Sequence, residues 1–222
     1  MKKDFISNLK NSSIFKTFSE KEIEIFLKST KSLTKVFKKN SKILSEGDHT
    51  KNIFIILNGS ISISREDYWG NTSVIAHFQE LNMFAETFAF LENTPISVNV
   101  TATSDTRVLL INTDSIFSAE MENNSLKERF IKNLILVFAS KNHYLSEKIE
   151  SLSQRTIREK LLTYLRQVSI DCGSQEFTIP FNRQQLADYL AVDRSALSSQ
   201  ISKLKEEGIL DADKNCFRLI HK

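Results

Sequence analysis

Residues 182–204 read NRQQLADYLAVDRSALSSQISKL, and their apolar spacing predicts two short helices joined by a tight turn. Asn182 is placed to cap the first helix, whose inward face is Leu186, Ala187 and Leu190, with the small Ala187 where a second helix crosses closely. Asp193 is placed to cap the second, a recognition helix over residues 193–206 that buries Leu197, Ile201 and Leu204. Arg194, Ser195, Ser198, Ser199 and Ser202 are left together on the opposite face. Solvated helix surfaces favour Glu, Lys and Gln, whereas short hydroxyls behind a single arginine let the backbone approach a partner closely. A helix-turn-helix presents its second helix to the major groove of DNA in this way, N-terminal residues toward the base edges. Arg194, Ser195, Ser198 and Ser199 are therefore the expected base readers. Arg183, Gln184 and Ser202 are expected at phosphates, the first two because a helix N-terminus suits an anion. A plain helical hairpin inside a globular core would show the same apolar spacing. Gly208 just after the second helix, and a candidate β-hairpin beyond it, weigh toward the DNA reading.

The chain has 222 residues, 41% of them hydrophobic, enough for one large or two modest cores. Its formal net charge is only +3, so a DNA-binding surface has to come from local clustering of Arg and Lys. Cys172 and Cys216 have no metal-ligand spacing, which predicts no iron–sulfur or zinc cluster and fits a reducing cytoplasm. Apolar runs are repeatedly interrupted by charges and the N-terminus is polar, so neither a signal peptide nor a membrane span is expected. The five glycines are scattered, and no triad or metal spacing occurs among the four histidines; an enzyme is not expected.

Residues 4–31 look helical, with a capping-box start at Ser19 and Glu22 to a helix burying Ile23, Phe26 and Leu27. From about Leu33 to Asn112 the pattern changes to short apolar and β-branched runs separated by turns, among them NIFIILNGSISISR, a turn at Tyr68 to Asn71, and SVIAHF. In ISISR the alternation puts Ile61 and Ile63 on one face and the serines on the other. A small roll is the economical closure for such strands. The insertion NMFAETFAFLENTP within it has two readings. Either Glu86 serves a ligand, or Phe84, Phe88, Phe90 and Leu91 plug the roll while Glu86 caps a short helix. After a helical piece from Ile116 to Met121, a long helix starts at Ser125. Leu126, Phe130, Leu134, Val137, Leu145, Ile149 and Leu152 form a stripe on it that one roll cannot cover. A second copy would bury the remainder, which makes Phe130, Leu134, Val137 and Leu145 the expected dimer interface; packing on its own β domain is the other reading. Ser151 to Ser153 read as a hinge. Beyond them come a helix with Ile157, Leu161, Leu165 and Val168 on one stripe, a strand at Phe177 to Ile179, and two strands at Ile209–Leu210 and Cys216–Ile220.

In this order the parts resemble the Crp/Fnr superfamily of bacterial transcription regulators over nearly the whole chain, most specifically in RQQLADYLAVDRSALSSQISKLKEEGIL and in NIFIILNGSISIS. The resemblance implies an α+β architecture with an N-terminal double-stranded β-roll (jelly-roll-like) sensor over residues 1–124. A dimerisation helix over residues 125–152 and a winged helix-turn-helix over residues 153–222 would follow. It also implies double-stranded DNA with a palindromic operator, a second copy of the chain and RNA polymerase as partners, and a small-molecule effector at Phe84, Ala85, Glu86, Thr87, Ile96 and Ser97. Arg194 stands where the family opens its recognition helix with a guanine-reading arginine. Ser195 and Ser199 replace the Glu and Arg of nucleotide-responsive members, so a different operator is expected.

The family's cyclic-nucleotide pocket pairs Gly-Glu-Leu with an Arg-Ser some ten residues later. Here Ala85-Glu86-Thr87 and Ile96-Ser97 stand at those places. Ile96 would leave a buried phosphate unpaired, at a cost of several kcal/mol, so cyclic AMP is not expected as a ligand and no cofactor is assigned. His77, alone in its strand, reads as a packing residue and not as a haem ligand. The alternative to a transcription regulator is a metabolite- or nucleotide-sensing module whose helix-turn-helix binds protein.

Overall fold

The computed structural model describes residues 5–70, 72–91, 93–118 and 124–220; Asn71 of the expected turn and Met121 of the expected short helix lie outside them. The chain divides into two compact units, Met1–Val137 and Phe138–Lys222.

In the first unit the N-terminal helical stretch is interrupted. Helix α1 (Ile6–Leu9) and helix α2 (Glu20–Ser29) are separated by tight turns in which Ser12 Oγ donates to the Leu9 carbonyl at 2.6 Å. Asn11, Ser12 and Ser13 compete with helical hydrogen bonding, and the turns they favour bury Phe15 and Phe18. Ser19 and Glu22 form the expected capping box, and α2 buries Ile23, Phe26 and Leu27.

Eight strands follow: β1 (Leu33–Phe37), β2 (Lys42–Leu44), β3 (Asn52–Asn58), β4 (Ile61–Glu66), β5 (Thr72–Phe78), β6 (Met83–Phe84), β7 (Asn99–Ala102) and β8 (Thr106–Asn112). They make two antiparallel four-stranded sheets, ordered β1-β8-β3-β6 and β2-β7-β4-β5. Leu44, Ile61 and Val100 of one sheet close on Phe54, Ile56, Phe84, Val108 and Leu110 of the other, which is the roll. The β3–β4 turn needs a glycine. Gly59 sits at φ +94, and a Cβ there would lie 2.6 Å from Thr106 Oγ1. The simple alternation expected for β4 does not hold. Ser64 is buried along with Ile61, because β4 lies between β5 and β7 and a side chain this short is covered by its neighbours. In β5 the pairing passes from Ala76 to Val74, leaving Ile75 as a bulge, and both Val74 and Ile75 are exposed.

Helix α3 (Glu86–Phe90) interrupts the strands, and α4 (Thr113–Phe117), capped by Asn112, follows them. Helix α5 (Asn124–Ser153) is 30 residues long. Its first half is committed to the chain's own core: Phe130 stacks on Phe26 at 4.4 Å and Asn133 Nδ2 donates to the Ile14 carbonyl at 2.8 Å. This corrects the expected dimer face. Phe130 packs on Phe26 and Phe15, Leu134 is buried as well, and Val137 is half-buried. The apolar side chains left exposed on α5 are Ile135, Leu136, Tyr144, Leu145 and Ile149. Ser151 to Ser153, read as a hinge, form the last residues of the helix.

The second unit contains α6 (Ile157–Cys172), β9 (Glu176–Thr178), α7 (Arg183–Leu190), α8 (Arg194–Glu206), β10 (Leu210–Asp213) and β11 (Cys216–Leu219). Thr156 and Glu159 box the start of α6, and Gly173 closes it in the left-handed conformation. The strands form an antiparallel sheet ordered β10-β11-β9. Leu161 and Leu165 of α6, Leu186, Ala187 and Leu190 of α7, and Leu197, Ile201 and Leu204 of α8 meet Phe177 and Phe217 in one core.

Candidate nucleic-acid interface and roll interior

Helices α7 and α8 are set by their caps. Asn182 and Gln185 bond reciprocally, each N–H to the other's side-chain oxygen at 2.9 Å. Asp193 Oδ1 accepts from the N–H groups of Ser195 and Ala196 at 2.8 and 2.9 Å and from Ser195 Oγ at 2.5 Å. The Ser195 hydroxyl, followed by these two N–H groups, holds the Asp193 carboxyl below its ordinary range. Between the helices Ala191 takes the left-handed conformation at φ 50, and Val192 N–H returns to the Ala187 carbonyl at 3.0 Å. Buried Ala187 and Leu190 then face buried Leu197 and Ile201.

All five residues expected on the outer face of α8 are exposed there. They are not equivalent. Ser195 is engaged in its own cap, and Ser202 Oγ bonds back to the Ser198 carbonyl at 3.2 Å. The expected phosphate residues lie beside this face. Gln184 Nε2 donates to Asp188 Oδ1 at 2.8 Å. Arg183 is half-buried, its guanidinium 4.9 Å from the centre of the Phe217 ring, and this burial lowers its pKa from the usual arginine value. A cleft of about 700 Å³ brings Arg183, Arg194 and Lys214 together, with Gln184 and Asn215. Lys214 and Asn215 form the β10–β11 turn, Lys214 at φ 49. Sequence reasoning assigned no residue of this turn to the interface. A lysine followed by asparagine there was the available signal.

In the roll, Phe84 stacks on Phe54 at 5.1 Å and shares a core cluster with Ile96 and Ala85. Ile96 is 1% exposed and is fixed through its backbone, its N–H donating to the Asp48 carbonyl and its carbonyl accepting from Gly47 N–H, both at 2.8 Å. Ala85 adopts φ 60 and leads into α3 without a side-chain cap bond. Glu86 is 5% exposed and stands in the first turn of α3, not at its cap. Thr87 and Ser97 are exposed. Arg65 Nε reaches the Ser97 carbonyl at 3.4 Å, a cation that reading in sequence order did not bring to this segment. Of the aromatic and aliphatic plug expected from the insertion, Phe84 is buried and Phe88 and Phe90 are half-buried, but Leu91 is exposed because it follows the end of α3. His77 is also exposed, on edge strand β5, and not packed as expected. Among the described residues no group of three or more His, Cys, Asp or Glu is arranged to hold a metal ion, and no helix is long and apolar enough to cross a membrane.

The model for the cyclic nucleotide-binding domain matches residues 34–123. The model for the Crp-like helix-turn-helix domain matches residues 159–221. Solved structures with the same fold include CprK complexed with OCPA, 17% identical with a TM-score of 0.62 over 89% of this chain and 91% of that one. The c-di-GMP-responsive global regulator CLP of Xanthomonas campestris is 18% identical with a TM-score of 0.58, over 92% of this chain and 100% of that one. DNR from Pseudomonas aeruginosa is 18% identical with a TM-score of 0.51, over 100% of this chain and 96% of that one. No curated protein matches the sequence.

Proposed function

We propose, from the premise that this chain belongs to the Crp/Fnr family of effector-sensing, DNA-binding transcription regulators, that it acts in the cytoplasm as a homodimer on a palindromic operator and works with RNA polymerase. Residues 1–124 form the sensing part, 125–152 the dimerisation helix and 153–222 the DNA-binding part. The observation that carries the reading is the exposed face of α8 set beside a cleft holding Arg183, Arg194 and Lys214. Arg194, with Ser198 and Ser199, reads bases, Ser195 joining them when its cap bond is exchanged. Arg183, pinned on Phe217, engages phosphate with Gln184, Ser202 and Lys214.

Dimerisation uses the part of α5 that the chain leaves uncovered. Ile135, Asn142 and Ile149 repeat every seven residues, as do Phe138, Leu145 and Leu152. That is the spacing of a two-helix seam, and a single polar Asn142 within it fixes register and strand number. Leu145 stays in the interface; Phe130 and Leu134 leave it, and Ile135 and Ile149 take their place.

Cyclic AMP is not the signal. Ile96, buried in the roll core, stands where the family resemblance calls for the cation that pairs a phosphate. Anisotropy of a labelled random duplex over a salt series tests the DNA reading. Log K should fall linearly with log salt, with a slope near −0.9 per phosphate contacted. Salt-independent binding, or none, would instead favour a helix-turn-helix that contacts protein.

A further inference from the structure

A hollow of the sensing unit lies between α3, the start of α4 and the entry to β3. It has a volume of about 600 Å³, and its apolar walls are Phe88 and Phe90 of α3, Leu91 and Phe117. Two of these walls are conspicuous. Leu91 is 51% and Phe117 54% exposed, large side chains that a folded surface normally covers when they lie together. The floor is braced. Thr113 donates through its N–H and its hydroxyl to the Lys51 carbonyl, at 2.8 and 3.1 Å, and through the same hydroxyl to the Ala89 carbonyl at 3.3 Å. The end of α3, the start of α4 and the entry to β3 are thus tied together beneath a preformed cavity. Its volume falls in the range of small-molecule sites, about 300–1,000 Å³.

The chemistry of the walls narrows the ligand. Three phenyl rings and a leucine suit a flat aromatic body. On the rim Lys51 Nζ is bonded to Asp114 Oδ2 at 2.7 Å, so a strongly anionic ligand would have to compete with a carboxylate already in place. Asn93 and Thr94 on the same rim offer uncharged hydrogen-bonding groups, and His49 adds a ring nitrogen. The site also connects with the long helix. Phe90 meets Phe117 edge-on at 6.3 Å, and Lys127 in the first turn of α5 lies 5.7 Å from the Phe117 ring centre.

We infer that this hollow, at the end of α3 and the start of α4, is the effector site, and that it takes a neutral, flat aromatic molecule with one hydrogen-bonding group, of the indole or phenol class. This rests on the effector-sensing reading above. A ligand against Phe90 and Phe117 changes how Phe117 meets Lys127, and so acts on the start of α5.

The test uses the full chain and 5-fluoroindole as the probe, followed by fluorine NMR, with duplex affinity measured separately by anisotropy. Saturable binding is expected, weakened at least about tenfold by Phe117→Ala and by Leu91→Glu. Both positions are more than half exposed, so the core survives. Trp69→Ala, at an exposed aromatic far along the sequence in the β4–β5 turn, should leave binding unchanged. Saturating probe should also shift duplex affinity of the parent and not of Phe117→Ala. No saturable binding, binding that both cavity variants retain, or binding without any change in duplex affinity would overturn the inference. Failure to bind duplex both with and without probe would instead overturn the regulator reading, whatever the NMR titration shows.

Discussion

Leu145→Glu should separate the two copies while leaving each one folded. Leu145 is more than half exposed on α5, as are its seam neighbours Ile135 and Ile149. Completing the burial of a half-exposed aliphatic side chain is worth about 1 kcal/mol, so three such residues on each of two copies supply about 6 kcal/mol before losses. Association itself costs about 4–15 kcal/mol, which leaves little margin. Glutamate at this position removes about 2 kcal/mol of burial across the pair and sets two carboxylates against each other for about 1 more. The sum, about 3 kcal/mol, weakens dimerisation roughly a hundredfold. Phe130→Ala is the contrast. It opens a hole beside Phe26 and Phe15 in the chain's own core, and should cost about 3–5 kcal/mol of folding stability. Sedimentation equilibrium with urea melts separates the two effects. The partition of α5 into an inward half and a partner-facing half is refuted if Leu145→Glu still sediments as two chains over the parent's concentration range. It is equally refuted if Phe130→Ala loses mass without losing stability.

Gly59→Ala should destabilise the first unit by at least about 2 kcal/mol in urea melts, since its Cβ would collide with Thr106 and the Asp105 carbonyl at positive φ. Ala191→Gly should do the opposite for the helix-turn-helix. Relief of a left-handed alanine, about 1–2 kcal/mol, outweighs glycine's added chain entropy of about 0.5–1, and an unchanged or lower urea midpoint would contradict the strain. Glu22 gives a pH signature. The Ser19 N–H first, and then the Arg129 guanidinium, lower its carboxyl from 4.5 to about 2. A depressed folded pKa adds stability that is complete above the unfolded value and is lost as pH falls through the folded one. Glu22→Gln should therefore flatten part of the acid loss of stability between pH 4.5 and about 2. An unaltered acid profile would show that this carboxylate is not held as described.

What was legible in the sequence is what local chemistry decides. The caps at Ser19, Asn182 and Asp193, the inward residues of α7 and α8, and the run of short strands all follow from patterns within a few residues. The misreadings arose where a distant segment intervenes. The apolar stripe of α5, broken only at Lys141 and His143, ran through Phe130, Leu134 and Leu145 alike, and could not reveal that Phe15 and Phe26 cover the first half. Ser64 looked outward by alternation and is covered by neighbouring strands. His77 lies on an edge that only the strand order defines. The same holds for the DNA-facing cleft: Arg183 was found, but its seat on Phe217 and its proximity to Lys214 join residues about thirty positions apart.

Selection of bound duplexes from a randomised pool, run with the parent chain, Arg194→Ala and Arg183→Ala at two salt concentrations, tests the central claim most directly. The parent should enrich a palindrome whose halves are about 34 Å apart, with a guanine at one position in each half. Arg194→Ala should lose that guanine preference, a discrimination of about 1–3 kcal/mol. Arg183→Ala should keep the preference while binding all sequences more weakly, with a salt slope smaller by about one unit. An unchanged sequence preference in Arg194→Ala would contradict base reading by α8.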